Sequence, residues 1–141
     1  MKLLRLGYAQ WLFSRTNGND DYRQYCSITL YQGHHTVQKS MLTVADAAAV
    51  AKKHQVPLIV DAAAEEDLYK YTQAGADLVI YSGAKAIEGP SSGLVIGTAK
   101  YIEWVRLQGK GIGRAMKIGK DNILGFTQAF GGSFTKWQRV R

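Results

Sequence analysis

The chain has 141 residues, 46% hydrophobic and 11% aromatic, with one cysteine and a net charge of +7. One domain is the ceiling at this length, the apolar content can build a core, and the composition argues against disorder. Cys26 alone supports neither a disulfide framework nor a cysteine-based zinc site. No apolar stretch approaches the ~20 residues of a membrane helix, and no small-residue cleavage pattern follows Met1 to Phe13, so a cytoplasmic location and no membrane partner are expected. Many of the cations fall after residue 99 and no run of five like charges occurs. The basic balance therefore suits small anionic substrates, and nucleic acid is not expected as the main partner.

In chain order, Leu3 to Phe13 is compatible with a short helix, and Ser14 to Asp21 reads as a polar turn or loop. Tyr25 to Tyr31 has strand propensity. His34 and His35 follow without a carboxylate or cysteine at ligand spacing, so they read as ordinary hydrogen-bonding residues and no metal is expected. Thr43 to His54 predicts a helix, with Thr43 as cap, Asp46 in the first turn and Lys52 and Lys53 in the last. Leu58-Ile59-Val60-Asp61 predicts a strand ending in an acid, Glu65 to Ala74 a helix ended by Gly75, and Leu78 to Tyr81 the next strand. This alternation implies an α/β fold, a mostly parallel sheet with crossover helices. Leu94 to Gly97 follows by too short a link for a crossover and is expected to run antiparallel. Ala99 to Leu107 predicts a helix capped by Thr98, then comes the glycine-rich basic loop Gly109 to Arg114, and a last helix from Asp121 to Phe130 stops at Gly131-Gly132.

Chemistry gathers around Tyr81-Ser82-Gly83-Ala84-Lys85-Ala86-Ile87-Glu88-Gly89-Pro90-Ser91-Ser92-Gly93, a small-residue loop with one lysine between two apolar runs. Burial at a strand end disfavours the ammonium form, and a neutral amine can condense with an aldehyde. A solvated loop lysine is the plainer reading. Ligands of open parallel sheets bind outside the carboxyl ends of the strands, where Asp61 and Lys85 both fall. A carboxylate there can keep a pyridine nitrogen protonated while the lysine holds the aldehyde, or it can simply cap the turn that follows. Ser82, Ser91, Ser92 and Gly93 can offer donors to an anion, or merely make turns. Arg114, Lys117 and Lys120 recur every third residue and would form a cationic edge if helical, for a phosphate or carboxylate or as a solvated face.

His34 to Met41, Val60 to Leu68, Ser82-Gly83-Ala84-Lys85 with Gly89 to Gly93, and Gly113 to Lys120 together resemble a known family. The chain is similar to the selenocysteine-synthase-like group of fold-type I pyridoxal-phosphate enzymes, a group that includes D-glucosaminate-6-phosphate ammonia-lyase. The resemblance covers about residues 31 to 129. It implies a partial cofactor-binding large domain at 31–130, with a divergent segment at 1–30 and a divergent tail at 131–141. It also implies pyridoxal 5'-phosphate held by Lys85, with Asp61 at the pyridine nitrogen, Ser82 on the phosphate, Ala63 near the ring face, and Arg114 and Ser92 toward a small anionic amino-acid-type substrate. The implied reaction is α,β-elimination with ammonia release, or, at the transferase end, conversion of seryl-tRNA to selenocysteinyl-tRNA. A homo-oligomer is implied as well. The glycine-rich phosphate turn, the ring-stacking residue and the small C-terminal domain of such enzymes are not found here, so a truncated core of doubtful independent activity is expected. Rival readings are a non-catalytic α/β fragment that binds cofactor or partner without turnover, and an RNA-binding module.

Overall fold

A computed structural model describes residues 2–6, 9–13, 27–31, 43–110 and 112–138, with side chains over 43–110 and 113–132. Six strands form one sheet in sequence order: β1 (Lys2–Leu6), β2 (Ala9–Phe13), β3 (Ser27–Tyr31), β4 (Leu58–Asp61), β5 (Leu78–Ser82) and β6 (Gly93–Gly97). β3, β4 and β5 run parallel, and β6 is antiparallel to β5, with Tyr81 opposite Leu94 and Ser82 opposite Gly93. From β3 to β6 this is the expected parallel core with one reversed strand. β1 and β2 add two further antiparallel pairings, so the whole sheet is mixed.

The helix compatible with Leu3 to Phe13 is replaced by β1 and β2, which pair with each other and, through β2, with β3. The ladder pairs β2 on both sides and β1 on one, and this tertiary gain outweighs local propensity. The histidine pair at 34 and 35 lies outside the described residues.

Helix α1 (Val44–Lys53) matches its expectation closely. The Thr43 hydroxyl accepts from Asp46 N at 3.1 Å while Thr43 N donates to the Asp46 carboxylate at 3.3 Å, a reciprocal cap that satisfies two backbone donors. At its other end Val56 N reaches Ala51 O at 3.0 Å and Gln55 N reaches Lys52 O at 3.2 Å, the paired bonds of a Schellman ending. Ala47 and Ala51, buried on one helical face, let α1 sit close on β3 and β4.

The expected helix from Glu65 to Ala74 shrinks to α2 (Lys70–Gln73). The Asp67 carboxylate accepts from Tyr69 N and Lys70 N at 2.8 and 2.9 Å, which starts the helix late, and residues 62–69 instead form turns. Gly75, at φ +103°, ends it as expected, with the methyl of Ala48 where a side chain would be. Helix α3 (Ala99–Gln108) lies on β6 and buries none of its residues fully. A 3-10 turn spans Ile112–Met116 and helix α4 spans Lys120–Gln138. Arg114, Lys117 and Lys120 thus sit on a 3-10 turn, a coil and a helix start, and the single helical edge conditional on their spacing is not formed. Helix α4 also passes through Gly131 and Gly132 where a stop was expected. Phe126, Ala129 and Phe130 pack on the core, with the two phenyl rings stacked at 5.6 Å, and that packing offsets the weak glycine propensity.

Leu58, Val60, Val79 and Tyr81 point to one sheet face and are buried with α1 and α2 over them. By register, Ile59, Asp61, Ile80 and Ser82 point the other way. Ile80 on that second face remains 40% exposed. Among the described residues no helix is long and apolar enough to cross a membrane.

Candidate active site

The parallel register sets Asp61 beside Ile80 on neighbouring strands, roughly 4.8 Å apart in backbone spacing. Ser82 is two residues further along β5 and so shares the face of Asp61 and Ile80. Beyond the last ladder residues the backbones stay tied, with Ala62 N donating to Ile80 O at 2.9 Å and Ser82 N to Ala63 O at 3.2 Å. Asp61, Ala63 and Ser82 are all half-buried at the carboxyl rim of the sheet. Asp61 Oδ1 accepts from Ala63 N at 3.2 Å, a turn stabilised by its own side chain. The plainer reading of this acid is therefore met by one oxygen, while Oδ2 has no donor among the described residues. The Ser82 hydroxyl likewise carries no hydrogen bond among them.

Lys85 stands three residues past the end of β5, in a loop closed at its neck. Gly83 N donates to Ser92 O at 2.9 Å, Gly89 N to Gly83 O at 2.7 Å, and Glu88 N to Lys85 O at 2.9 Å. Ile87 is the buried residue of this loop, at 1% exposure, whereas Lys85 is exposed. The burial that the sequence argument asked of the strand-end lysine thus falls to Ile87. Glu88 closes the loop at φ +56°, in the left-handed region. The Ser92 hydroxyl donates to Pro90 O at 2.8 Å, so it is engaged in turn chemistry. Arg114, on the 3-10 turn, is exposed.

Three supports were missed by reading the sequence. The Tyr81 hydroxyl, on the covered face, donates to Asp67 O at 2.9 Å and ties the segment after Asp61 to β5; the Tyr71 hydroxyl donates to the Glu65 carboxylate at 3.0 Å. Burial, followed by the nearby acids, pushes the Tyr81 phenol up to about 12 and raises Tyr71 still further. Asn122 Nδ2 of α4 also donates to Ser91 O at 3.1 Å. The spacing of Asn122, Phe126 and Ala129 marks one helical face and was the available clue. Among the described residues no group of three or more His, Cys, Asp or Glu is placed to hold a metal.

The L-seryl-tRNA selenium transferase family model matches residues 36–131, two thirds of the chain and all of this rim. The chain belongs to that family. Within it, the chain is 52% identical over 98 residues to D-glucosaminate-6-phosphate ammonia lyase of Salmonella typhimurium (strain 14028s / SGSC 2262), a match covering 70% of this chain and 27% of the relative. It is 43% identical over 95 residues to 5'-C-glycyluridine monooxygenase-decarboxylase of a Streptomyces species, covering 67% of this chain and 24% of the relative. A solved structure of D-glucosaminate-6-phosphate ammonia-lyase superposes with a TM-score of 0.71 at 48% identity, over 76% of this chain and 29% of that one. The fold is thus a part of the large domain of fold-type I pyridoxal-phosphate enzymes. The chain spans about a quarter of the length of the curated relatives it matches.

Proposed function

We propose that the chain is the cofactor-lysine part of a pyridoxal-phosphate lyase, with Lys85 as attachment point and later as acid and base at the substrate carbon. The observation that carries this reading is the rim itself. Asp61 and Ser82 share one sheet face, with a carboxylate oxygen and a hydroxyl that are unpartnered among the described residues, and the closed lysine loop rises directly beyond Ser82. These groups fit the cofactor: an acid for a pyridine nitrogen, a hydroxyl for a phosphate, an amine for an aldehyde, and Ala63 small enough to lie at a ring face.

When bound, pyridoxal phosphate supplies an electron sink for a carbanion next to the substrate amino group. Asp61 would hold the proton on the ring nitrogen, and Ser82 would donate to the phosphate. Lys85 would take the proton from the substrate carbon and return it to the departing β-hydroxyl, which leaves as water; the enamine that remains would tautomerise and be hydrolysed by water to ammonia and a 2-keto acid. Arg114 meets the anionic end of a small amino-acid-type substrate, an amino-sugar acid phosphate by similarity to the lyase relative, while the Ser92 hydroxyl stays committed to Pro90 O. A homo-oligomer supplies cover for the exposed Lys85 and Ile80. Two relatives whose names denote different reactions match nearly the same share of this chain. That supports assigning to this part the cofactor handling common to both, with the choice of reaction made elsewhere.

Mixing the purified chain with pyridoxal phosphate is expected to produce the visible absorbance band of a lysine-linked cofactor. Lys85→Ala should abolish it and Asp61→Asn should weaken it. Identical spectra for wild type and Lys85→Ala would show the assignment to be wrong. Exposure of Lys85 and Arg114 favours a second reading, cofactor binding without turnover. Ammonia release from D-glucosaminate 6-phosphate separates the two, since its absence alongside a Lys85-dependent band supports the second.

A further inference from the structure

Lys85 is exposed and makes no hydrogen bond or ion pair through its side chain among the described residues, so its placement is set by the backbone of its loop. On one side that loop is held by its neck bonds and by buried Ile87. On the other it meets α4 along a seam of three glycines. A side chain at Gly83 would run into Phe126 Cδ2 at 2.9 Å and into the Ser92 hydroxyl; one at Gly89 would press on the Ala129 methyl at 3.3 Å; one at Gly125 would meet Pro90 at 3.0 Å. Asn122 adds its hydrogen bond to Ser91 O. Asn122, Gly125, Phe126 and Ala129 fall at i, i+3, i+4 and i+7, so a single face of α4 makes every one of these contacts.

We propose that Phe126 and Asn122 are positioning residues for Lys85, fixing through Gly83, Gly89 and Ser91 where its amine stands above the rim. The claim rests on the assignment of Lys85 to cofactor attachment. Its physical basis is the lack of slack: a phenyl ring lies against the backbone two residues before the lysine, and close-packed contacts transmit displacement rather than absorb it. A phenyl ring offers the Lys85 amine no hydrogen-bond partner, so Phe126 acts through the loop backbone.

Two measurements on the full chain test this. In the cofactor-free protein, hydrogen exchange of the Gly83 and Gly89 amides reports the neck directly. Phe126→Ala is expected to speed both by about tenfold or more while leaving the sheet amides of Val60 and Val79 nearly unchanged. With pyridoxal phosphate added, the same variant should form the lysine-linked band roughly tenfold more slowly and shift its pH midpoint, with Phe126→Leu restoring most of both. Asn122→Ala, at a half-buried position, should reproduce a smaller version and serves if Phe126→Ala does not fold. Unchanged exchange at the two glycines, or acceleration equal to that of Val60 and Val79, overturns the proposal. If wild type forms no band at all, the role of Lys85 falls, and the exchange measurement still decides whether α4 holds the loop.

Discussion

At the scale of single residues, two positions among the described residues adopt a backbone that side chains disfavour: Gln55 and Glu88, both at φ +56°. Gln55 follows the cap of α1, where glycine is the usual occupant because it has no Cβ to clash. Glu88 closes the lysine loop three residues after Lys85. Residues held in this region beside a functional group are stabilised by their surroundings rather than by their own preference. Gln55→Gly and Glu88→Gly are each expected to raise stability by about 0.5–1 kcal/mol, after allowing for the extra freedom glycine has when unfolded. Urea unfolding checks this. No gain at either position would mean that its side chain earns its place by contacts. The same scale shows why sequence reasoning could put Asp61 and Ser82 at strand ends yet left Lys85 between a buried and a solvated reading, of which its exposure meets the solvated one. Position at a strand end is a matter of order along the chain, whereas exposure depends on which loop residue turns inward, and here Ile87 does.

Among the elements, α1, β4, β5, β6 and α3 lie within a residue or so of where local pattern put them. Three of them carry local start or stop chemistry, a Thr-Asp box at α1, Pro57 before β4 and a glycine at either end of β6, whereas Thr98 at the head of α3 makes no side-chain cap bond. Helix α4 departs from its pattern, as α2 and the β1–β2 pair do, because its continuation past residue 130 depends on contacts made by Phe126 and Phe130 with distant parts. Added methyl groups at Gly131 and Gly132 would meet nothing within 4 Å. Gly131→Ala and Gly132→Ala should therefore each stabilise α4 by roughly 0.5–1 kcal/mol, seen as a higher melting temperature and greater helical circular dichroism. A loss of helicity instead would mean that the helix ends at the glycines after all.

For the molecule as a whole, the covered face of the sheet has a polar anchor at its rim. Tyr81, 1% exposed, and Tyr71, 3% exposed, present their hydroxyls to Asp67 O and Glu65. Both phenols titrate above their unfolded value of 10, Tyr81 at about 12 and Tyr71 higher. Below pH 10 both states keep these protons and stability does not depend on them. As pH rises from 10 toward 12 the unfolded chain loses protons that the folded one retains, so stability falls, by at most about 1.4 kcal/mol per pH unit for each tyrosine. Urea unfolding from pH 9 to 12, followed with tyrosinate absorbance, should show that decline, and Tyr81→Phe should remove part of its slope. A flat profile would mean that the two hydroxyls are open to water.

What this sequence determined alone was local and periodic: which stretches after residue 25 are strands, that β6 must reverse because its link is short, and that an acid and a lysine fall at or just past the ends of successive strands. Those follow from backbone geometry within about a dozen residues. Tertiary structure decided the rest. It paired β1 and β2 into the sheet, cut α2 to four residues, carried α4 through two glycines and laid it against the lysine loop. Apart from the shortening of α2, which the local Asp67 cap sets, these outcomes depend on contacts between residues far apart in the chain, whose free energy exceeds the small local preferences a sequence displays.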